Sequence, residues 1–471
     1  MSPQHRRDRS IAVIGIACRL PNADSPEEFW SLLDAGGSAV RELPPDRLDR
    51  DLYFDDRKGQ KCRTYSSLGG LIPERPLDLS LIPRPDELQD ADPCHQIFVE
   101  VAARACRDAG FTSDEMTRQR TAIYVGHSGG SPLGGELAYA TLADETVGFL
   151  NDLPAFQTLP EAVQQAVLTE TSTAVRSRRS KRGPHGEPNV EANMVAGLVA
   201  RALQLDGPHG AIDAACASSL VSLLLGAQAI ESGEADVALV GGASCVKADS
   251  LVLFSHAQSC SASGTRPFDA QADGLISSEG YVAILIQPLD KALAQGRRIH
   301  GIIRGIGMSS DGRGRSLWAP RKEGQVAAIR RAYDESCSPD LDYIEAHATS
   351  TRVGDATELE ALAEVFGPAA NGRRLPIGSV KSNIGHTLET AGLASLLKVL
   401  LAMRHGSIPP SINVTERNPA VDWPNLPFDI PETPQSWLRP AHRPRRAAIN
   451  AFGIGGLNVH LVVEEPLVSD A

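Results

Sequence analysis

Apolar residues along this chain follow two patterns, short continuous runs and longer segments in which they recur every three or four positions. The runs predict buried β-strands, and the longer segments predict helices with one buried face. Strands are predicted at 11–16, 121–125, 237–240, 280–286, 299–306, 342–346, 376–380, 447–452 and 458–463. Helices are predicted from 26 onward and at 96–110, 193–205, 220–230, 291–296, 356–366 and 391–403. Because the two kinds of element alternate, we expect an α/β fold built in layers.

Local signals place some boundaries within this pattern. Gly15 is expected to end the first strand, and Ser25 to cap the helix that begins at Pro26. The helical segments at 220–230 and 391–403 are strongly apolar, and each is reached through a predicted strand and a polar turn. This correspondence leads us to expect two similar halves packed together, although the sequence has no short-period repeat.

The stretch 212–243 carries a single cysteine just before one of the two apolar helices. It reads IDAACASSLVSLLLGAQAIESGEADVALVGGA and places Cys216 where a short apolar run turns into a helical pattern. Unpaired N–H groups and the helix dipole at such a point favour the thiolate, whereas apolar surroundings favour the thiol. Since most free cysteines are buried structural residues, the stretch alone leaves both a nucleophile and a structural cysteine open.

Composition narrows the class of protein. With 471 residues and 42% hydrophobic content, the chain can bury one large core or two fused ones. A formal net charge of -12 argues against a nucleic-acid partner. The eight cysteines include no Cys-x-x-Cys pair, which favours reduced thiols over a disulfide framework or a zinc site. We find no apolar run of membrane-spanning length and no signal peptide, so we expect a soluble, cytoplasmic protein.

Two segments show no sustained periodicity. The segment 44–93 is rich in proline, glycine and charge, and predicts surface loops suited to docking or dimer contacts. The segment 176–183, RSRRSKRG, is the one sharply basic patch of the chain. It is either a solvated loop or a docking point for an acidic partner.

Three polar turns follow predicted strands and carry the remaining candidate chemistry. They read EAHATST at 345–351, KSNIGHT at 381–387 and NAFGIGGLN at 450–458. Because strand ends gather ligands in α/β proteins, we expect the turns to open on one edge of the sheet. One histidine is more often structural than catalytic, but two histidines and a free cysteine suit acyl transfer. The glycine-rich turn can bring backbone N–H groups to an oxyanion, or it is simply a tight strand connection.

Together with IAVIGIACRLPNADSPEEFW and GPHGAIDAACASSL, these motifs resemble those of the β-ketoacyl synthases, the condensing domains of polyketide and fatty acid synthases. The resemblance runs from 11 to about 465. It implies a thiolase-like fold of two βαβ-rich halves, about 11–290 and 291–465, in a five-layered α-β-α-β-α core that usually forms a homodimer. Residues 1–10 are then a disordered basic tail, and 466–471 a C-terminal tail. Some motifs are more similar to those of iterative synthases, such as enediyne or polyunsaturated fatty acid lineages.

The resemblance also implies roles for individual residues. Cys216 matches the acyl-accepting nucleophile, His347 and His386 the histidines that handle decarboxylation, and Lys381 the lysine that orders them. The other implied roles are the oxyanion hole, formed by the N–H groups of Cys216 and Phe452, the gate at Phe452, the pantetheine-lining Thr349 and Thr351, and further substrate contacts at Asn383, Gly453 and Gly455.

The implied reaction is a decarboxylative Claisen condensation. An acyl chain passes to Cys216, a malonyl-type extender loses carbon dioxide, and the resulting carbanion attacks the acyl-enzyme. The resemblance implies no metal and no cofactor bound by the domain itself, because the substrates travel on the phosphopantetheine arm of an acyl carrier protein. That carrier protein is therefore the expected partner, with a second copy of the chain.

Several positions depart from the family pattern. The usual His-Gly-Thr-Gly-Thr is His347-Ala348-Thr349-Ser350-Thr351, and Ala348 is expected to be strained if its site needs a positive φ. Ile454 stands where phenylalanine is commoner, and Leu457 where threonine is commoner.

Three other functions share parts of this pattern. A degradative thiolase acting on coenzyme A thioesters would carry a second cysteine in the turn at 450–458, and none is present. A condensation-silent partner that sets chain length is disfavoured by the intact Cys216, His347 and His386. A cysteine–histidine hydrolase has no evident use for the second histidine.

Overall fold

The computed structural model describes residues 10–466 apart from 113–114, 116–117, 132–141, 178–190, 315, 334–336, 338 and 368–371. The predicted terminal tails, except Ser10 and Pro466, lie outside the described residues, as does the basic segment from 178 to 183. Within the described part of the chain, no helix combines the length and the apolar character needed to cross a lipid bilayer.

The strands of the described residues are β1 Ile11–Arg19, β2 Val40–Glu42, β3 Leu68–Gly70, β4 Thr121–Gly126, β5 His209–Ile212, β6 Val237–Ser244, β7 Gly280–Pro288, β8 Gly301–Ser310, β9 Tyr343–Glu345, β10 Leu375–Gly378, β11 Ser407–Ile408, β12 Phe428–Asp429, β13 Gln435–Ser436, β14 Arg446–Gly453 and β15 Leu457–Glu464.

The helices are α1 Pro26–Asp34, α2 Arg50–Tyr53, α3 Pro93–Asp108, α4 Ala143–Gly148, α5 Pro154–Gln157, α6 Glu161–Ser177, α7 Met194–Leu203, α8 Ser218–Glu231, α9 Ala248–His256, α10 Leu289–Ala294, α11 Lys322–Arg331, α12 Arg352–Phe366, α13 Lys381–Ile384 and α14 Ala391–His405. Short 3-10 turns lie at Leu79–Leu81, Pro85–Leu88, Phe149–Asp152, Leu388–Thr390 and Trp423–Asn425.

The large sheet contains the same arrangement of five strands twice. Its order is β12-β10-β9-β14-β15-β8-β1-β7-β6-β4-β5. Reading outward from the central β8–β1 pair, one half runs β1-β7-β6-β4-β5 and the other β8-β15-β14-β9-β10. In both halves the first two pairings are antiparallel and the next two parallel. The predicted similarity of the two halves is therefore confirmed.

Helices separate and cover these half-sheets to give five layers. The helices α8 and α14 contact each other in the middle, where α8 packs on β4 and β6 and α14 packs on β14 and β7. The helices α3 and α7 cover the outer face of the first half, and α11 and α12 that of the second. Both faces of β1 are consequently buried, which explains its unbroken apolar sequence.

The first strand is longer than predicted, and the expected end at Gly15 is wrong. β1 continues to Arg19 with a register irregularity between Val13 and Gly15. A Cβ at Gly15 would lie 2.3 Å from the carbonyl oxygen of Ala105 in α3. Gly15 therefore allows a helix to pack closely on the strand and does not end it.

Helix starts follow their capping chemistry, but one long helix was not predicted. The Ser25 Oγ accepts a hydrogen bond of 3.1 Å from the N–H of Glu28, with Pro26 in the first turn, as predicted. The helix α6, Glu161–Ser177, has no buried residue among its 17. Without a buried face it has no marked apolar stripe, so the periodicity that reveals other helices is missing.

Candidate active site

Cys216 lies in a tight turn between β5 and α8. The residue before it, Ala215, has a left-handed φ of 50°, a conformation that L-residues rarely adopt. Hydrogen bonds hold this turn: the Ser218 Oγ accepts from the N–H of Ala214 at 2.8 Å and donates to the carbonyl of Ala215 at 2.6 Å. The side chain of Asp213 accepts from the N–H of Ala215 at 3.0 Å. The predicted position of Cys216 at a strand-to-helix turn is therefore observed.

His386 is held against the sulfur of Cys216. Its Nε2 lies 3.0 Å from the Cys216 Sγ. Its N–H donates to the carbonyl of Ile276 at 2.7 Å, and its carbonyl accepts from the N–H of Ser278 at 2.9 Å. A segment of the first half therefore holds a histidine of the second half beside the cysteine.

The starts of the two central helices are joined directly. The N–H of Leu393 in α14 donates to the Oγ of Ser219 in α8 at 3.2 Å. A Cβ at Gly392 would lie 2.5 Å from Cγ of Leu220, so the helices approach closely there. Because Cys216 precedes α8 and His386 precedes α14, this contact brings the two side chains together.

His347 completes the group. Its ring lies 5.5 Å from the ring of His386 in an edge-on arrangement at 83°. The Glu358 carboxylate fixes the turn, since it accepts hydrogen bonds of 2.8 Å from the N–H groups of both His347 and Ala348. The donor atoms of Cys216, His347 and His386 all lie within 4.8 Å of one another. The structure thus brings together the three residues that the sequence analysis placed in one site.

The third turn reaches the same place. A Cβ at Gly453 would lie 2.4 Å from the carbonyl oxygen of Ala214, so this turn packs directly on the cysteine turn. The ring of Phe452 lies 5.5 Å from the ring of His347. The backbone N–H groups that lower the pKa of the Cys216 thiol are those of Cys216 itself and of Ile454.

The surroundings of the sulfur favour the neutral thiol of Cys216 and the neutral imidazole of His386. Burial raises the pKa of Cys216 to about 12, with a further contribution from Glu389, against the opposing effects of Lys381 and the two N–H groups. Burial, and then the charge of Lys381, hold the pKa values of His386 and His347 well below their usual range. A neutral imidazole with a free acceptor nitrogen can therefore take the thiol proton.

Lys381 lies among buried carboxyl groups. Its side chain is buried, and its Nζ has no hydrogen-bond partner. Burial lowers the pKa of Lys381, while Glu345 and Glu358 act in the opposite direction. Burial also raises the pKa of Glu358, and it raises that of Asp355 to about 7. Lys381 is thus a source of positive charge close to both histidines.

The strain expected at Ala348 is not observed. Its φ is not positive, and its N–H bonds to Glu358. The left-handed residue of this turn is Ser350, with a φ of 67°. The Ser350 Oγ accepts from the N–H of Arg266 at 2.9 Å and its carbonyl accepts from Gly274 at 2.9 Å. These two bonds hold a conformation that glycine would adopt more readily.

The other predicted site residues have diverse surroundings. Thr349 and Thr351 share a hydrogen bond of 3.1 Å between their hydroxyl groups. The Asn383 amide donates to the carbonyl of Gly37 at 3.0 Å, which ties it to the N-terminal loop. The N–H of Gly455 donates to the carbonyl of Leu317 at 3.2 Å. Their roles in substrate binding stay predictions.

Two residues of the site were given no role in the sequence analysis. Glu358 had a usable signal, because Asp355 and Glu358 are three residues apart and so share a face of α12. Ile454 had none, because only the folded turn determines which of its N–H groups faces Cys216.

The same three side chains are of the types that bind zinc, namely cysteine and histidine. Among the residues that the structure describes, these three form a group of potential metal ligands whose donor atoms all lie within 4.8 Å of one another. The contact of 3.0 Å between the Cys216 sulfur and His386 Nε2 already gives the group an arrangement suited to acyl chemistry.

Comparison with known proteins identifies two family models in this chain. The model described as "Beta-ketoacyl synthase, N-terminal domain" matches residues 8–292. The model described as "Beta-ketoacyl synthase, C-terminal domain" matches residues 300–415. Together they include the turns at 345–351 and 381–387. The turn at 450–458, which lies in β14 and β15, is outside both matched ranges.

Curated relatives and solved structures agree with these matches. The PKS-NRPS hybrid synthetase acdB of Aspergillus candidus is 35% identical over 98% of this chain, which spans 18% of that protein. The pikromycin polyketide synthase component PikAIII of Streptomyces venezuelae is 33% identical over 99% of this chain, which spans 28% of that protein. The ketosynthase from module 6 of the bacillaene synthase of Bacillus subtilis 168, solved as a point mutant, is 30% identical, with a TM-score of 0.80 over 97% of this chain and 72% of its own.

Proposed function

The chain belongs to the β-ketoacyl synthase family, and from this premise we propose that it extends an acyl chain by decarboxylative Claisen condensation. Ketosynthase domains of polyketide synthases are condensing enzymes that transfer acyl groups. The observation that carries the proposal is the buried contact of 3.0 Å between Cys216 Sγ and His386 Nε2, with His347 beside it. It supports an assignment of Cys216 as the nucleophile, His386 as its base and His347 as a second imidazole.

The first half-reaction loads the enzyme. His386 Nε2 accepts the thiol proton of Cys216, and the sulfur attacks the carbonyl carbon of the incoming thioester. The N–H groups of Cys216 and Ile454, which lower the pKa of the Cys216 thiol, are the donors that we propose for the developing oxyanion. The bond to the carrier sulfur breaks, and His386 returns the proton to that sulfur, so the carrier leaves as a thiol. Loss of one oxyanion donor typically costs about 10²–10³ in rate.

The second half-reaction extends the chain. The malonyl-type extender loses carbon dioxide, and its electron pair moves onto the thioester to give an enolate. The imidazoles of His347 and His386 donate hydrogen bonds to the enolate oxygen. Both must be neutral for this, and burial together with the nearby Lys381 keeps their pKa values low. The carbanion then attacks the acyl carbon, a carbon–carbon bond forms, and the sulfur of Cys216 is released.

We further propose an acyl carrier protein and a second copy of the chain as partners. The hydroxyl groups of Thr349 and Thr351 are suited to contact a pantetheine arm, which would carry the substrates, and no cofactor bound by the domain is needed. The strand β5 pairs with β4 at the end of the sheet and has no other strand beside it among the described residues. An unpaired edge of this kind can pair with the same strand of another copy. The similarity to iterative synthases stays a prediction.

Intact-protein mass spectrometry tests the proposal. The wild-type protein and two variants are treated with a panel of acyl thioesters. We expect acyl adducts on the wild type and on Cys62→Ala, which removes an exposed cysteine, and none on Cys216→Ala. Malonyl thioester is then added, and the acylated wild type is expected to form a product extended by two carbons. Acylation of Cys216→Ala, or an acyl-enzyme that never extends, would contradict the proposal.

A further inference from the structure

A completely buried ion pair lies close to the active site. One of its residues, Glu345, begins the turn at 345–351, whereas the other, Lys398, lies outside the three turns. The Nζ of Lys398 in α14 lies 2.8 Å from the Oε2 of Glu345, and both side chains are fully inaccessible to solvent. Buried ion pairs seldom add stability compared with apolar residues of similar volume, although removing one partner is costly. Stabilisation of the core is therefore not a sufficient explanation for this ion pair.

The Glu345 carboxylate joins the two histidine-bearing turns. Glu345 ends β9, two residues before His347. Its Oε1 accepts a hydrogen bond of 2.6 Å from the N–H of Val380, the residue before Lys381. Its Oε2 accepts one of 2.7 Å from the hydroxyl of Tyr343. One side chain therefore fixes the start of the His347 turn relative to the start of the Lys381 turn.

Lys398 attaches the central helix to this carboxylate. Besides its contact with Glu345, its ammonium group lies 5.7 Å from the ring centroid of Tyr343. It supplies the positive charge opposite a carboxylate that has no access to water. Glu345 in turn is the strongest of the charges that support the ammonium form of Lys381. The charge of Lys398 is thereby linked to Lys381 through a single carboxylate.

We propose that Lys398 is a positioning residue for the extension half-reaction, which holds Glu345 in place and so fixes the His347 and Lys381 turns relative to each other. It does not touch the reacting atoms. The position of His386 depends instead on its backbone bonds to Ile276 and Ser278. Loss of Lys398 should therefore impair extension far more than acyl loading. The inference rests on the condensation proposed above.

The first test compares Lys398→Met with Lys322→Met. Lys322 lies on the surface, where it pairs with Glu364, and serves as the matched control. We expect Lys398→Met to lower the rate of malonyl decarboxylation and extension by about 10- to 100-fold, as small misplacements of catalytic groups do. Acyl loading should stay within about twofold of wild type, and Lys322→Met should retain both rates. Equal losses in loading and extension, or no loss in either, would overturn the proposal.

The second test removes both charges, so that the result stands even if Lys398→Met does not fold. In Glu345→Gln/Lys398→Met the buried charge is gone while the volume is kept. Lys381 then loses the carboxylate that most strongly supports its ammonium form. In the profile of extension rate against pH, the alkaline limb should therefore move to lower pH. The charged and titratable groups near Lys381 that this profile also reflects are Glu358, Asp355, Cys216, His347 and His386.

The two proposals fail in distinguishable ways. If wild-type protein loads but never extends, the proposed condensation is wrong. If wild-type protein extends and the double variant extends with the same rate and pH profile, the role of Lys398 is wrong and the condensation stands.

Discussion

The Glu358 carboxylate holds the turn that carries His347, and replacing it should affect the two half-reactions differently. The Glu358 carboxylate accepts hydrogen bonds from the N–H groups of His347 and Ala348 at 2.8 Å each and from the Asn450 amide at 2.7 Å. The bonds from His347 and Asn450 go to Oε1, and that from Ala348 goes to Oε2. In Glu358→Gln the carbonyl oxygen of the new side chain can still accept the bonds from His347 and Asn450. Its NH2 group, however, faces the N–H of Ala348, so this donor loses its acceptor.

The cost of this change follows from one lost acceptor in a buried site. A buried donor left without an acceptor costs about 1–3 kcal/mol. We therefore expect the free energy of unfolding of Glu358→Gln to fall by that amount. Because the unpaired donor lies next to His347, decarboxylation and extension should slow by about 10- to 100-fold. Acyl loading should change much less, since Cys216 and His386 are held by other contacts.

The measurement uses a control on the same helix. Glu364 lies in α12 with Glu358, but it is exposed and pairs with Lys322 and Arg330. Glu364→Gln should change the free energy of unfolding by less than about 1 kcal/mol and leave both half-reactions intact. Urea denaturation gives the stabilities, and mass spectrometry gives the loading and extension rates. If the two variants were equally stable, or if Glu358→Gln extended at the wild-type rate, the reasoning would be wrong.

Three further predictions test the site. His347→Ala should still acquire an acyl group on Cys216 in mass spectrometry but release almost no carbon dioxide from a malonyl thioester, and comparable losses in both steps would contradict its assignment. Burial raises the pKa of Asp355 to about 7, so this carboxyl lowers stability progressively as pH rises from about 4 to 7. In Asp355→Asn, the free energy of unfolding from urea denaturation should lose this part of its fall between about pH 4 and 7. An unchanged fall over that pH range would contradict the raised pKa of Asp355. Gly453→Ala, whose Cβ would lie 2.4 Å from the Ala214 carbonyl, should displace the Ile454 N–H and slow acyl loading, so a wild-type loading rate would contradict the oxyanion assignment.

The core elements buried on both sides were predictable from the sequence, whereas the long exposed helix was not. The core strands and the two central helices have apolar patterns that burial requires, so their existence was predicted. The helix Glu161–Ser177 has no buried residue and was missed. The end of β1 was misplaced because Gly15 serves the packing of α3, a tertiary contact that the local pattern does not contain.

The site was predictable as a set of residues but not as a geometry. The three turns and Cys216 were recognised because each follows a predicted strand or apolar run and because together they resemble the motifs of the β-ketoacyl synthases. The contact between Cys216 and His386 joins residues 170 positions apart and depends on the packing of α8 against α14. The same limit applies to Ile454 and Ser350, because the N–H group that acts on the thiol and the left-handed residue are determined by how each turn folds against its neighbours.

The duplicated topology explains why these turns meet. Cys216 follows β5 and precedes α8, while His386 follows β10 and precedes α14, so the two turns occupy equivalent positions in the two halves. Since α8 and α14 pack against each other at their starts, equivalent turns necessarily face each other there. His347 follows β9, and its counterpart after β4 is His127, which bonds to His95 at 3.0 Å inside the first half. The two halves therefore share a framework but differ in chemistry: among the described residues, the two histidines grouped with the sulfur of the first half, His347 and His386, both come from the second half.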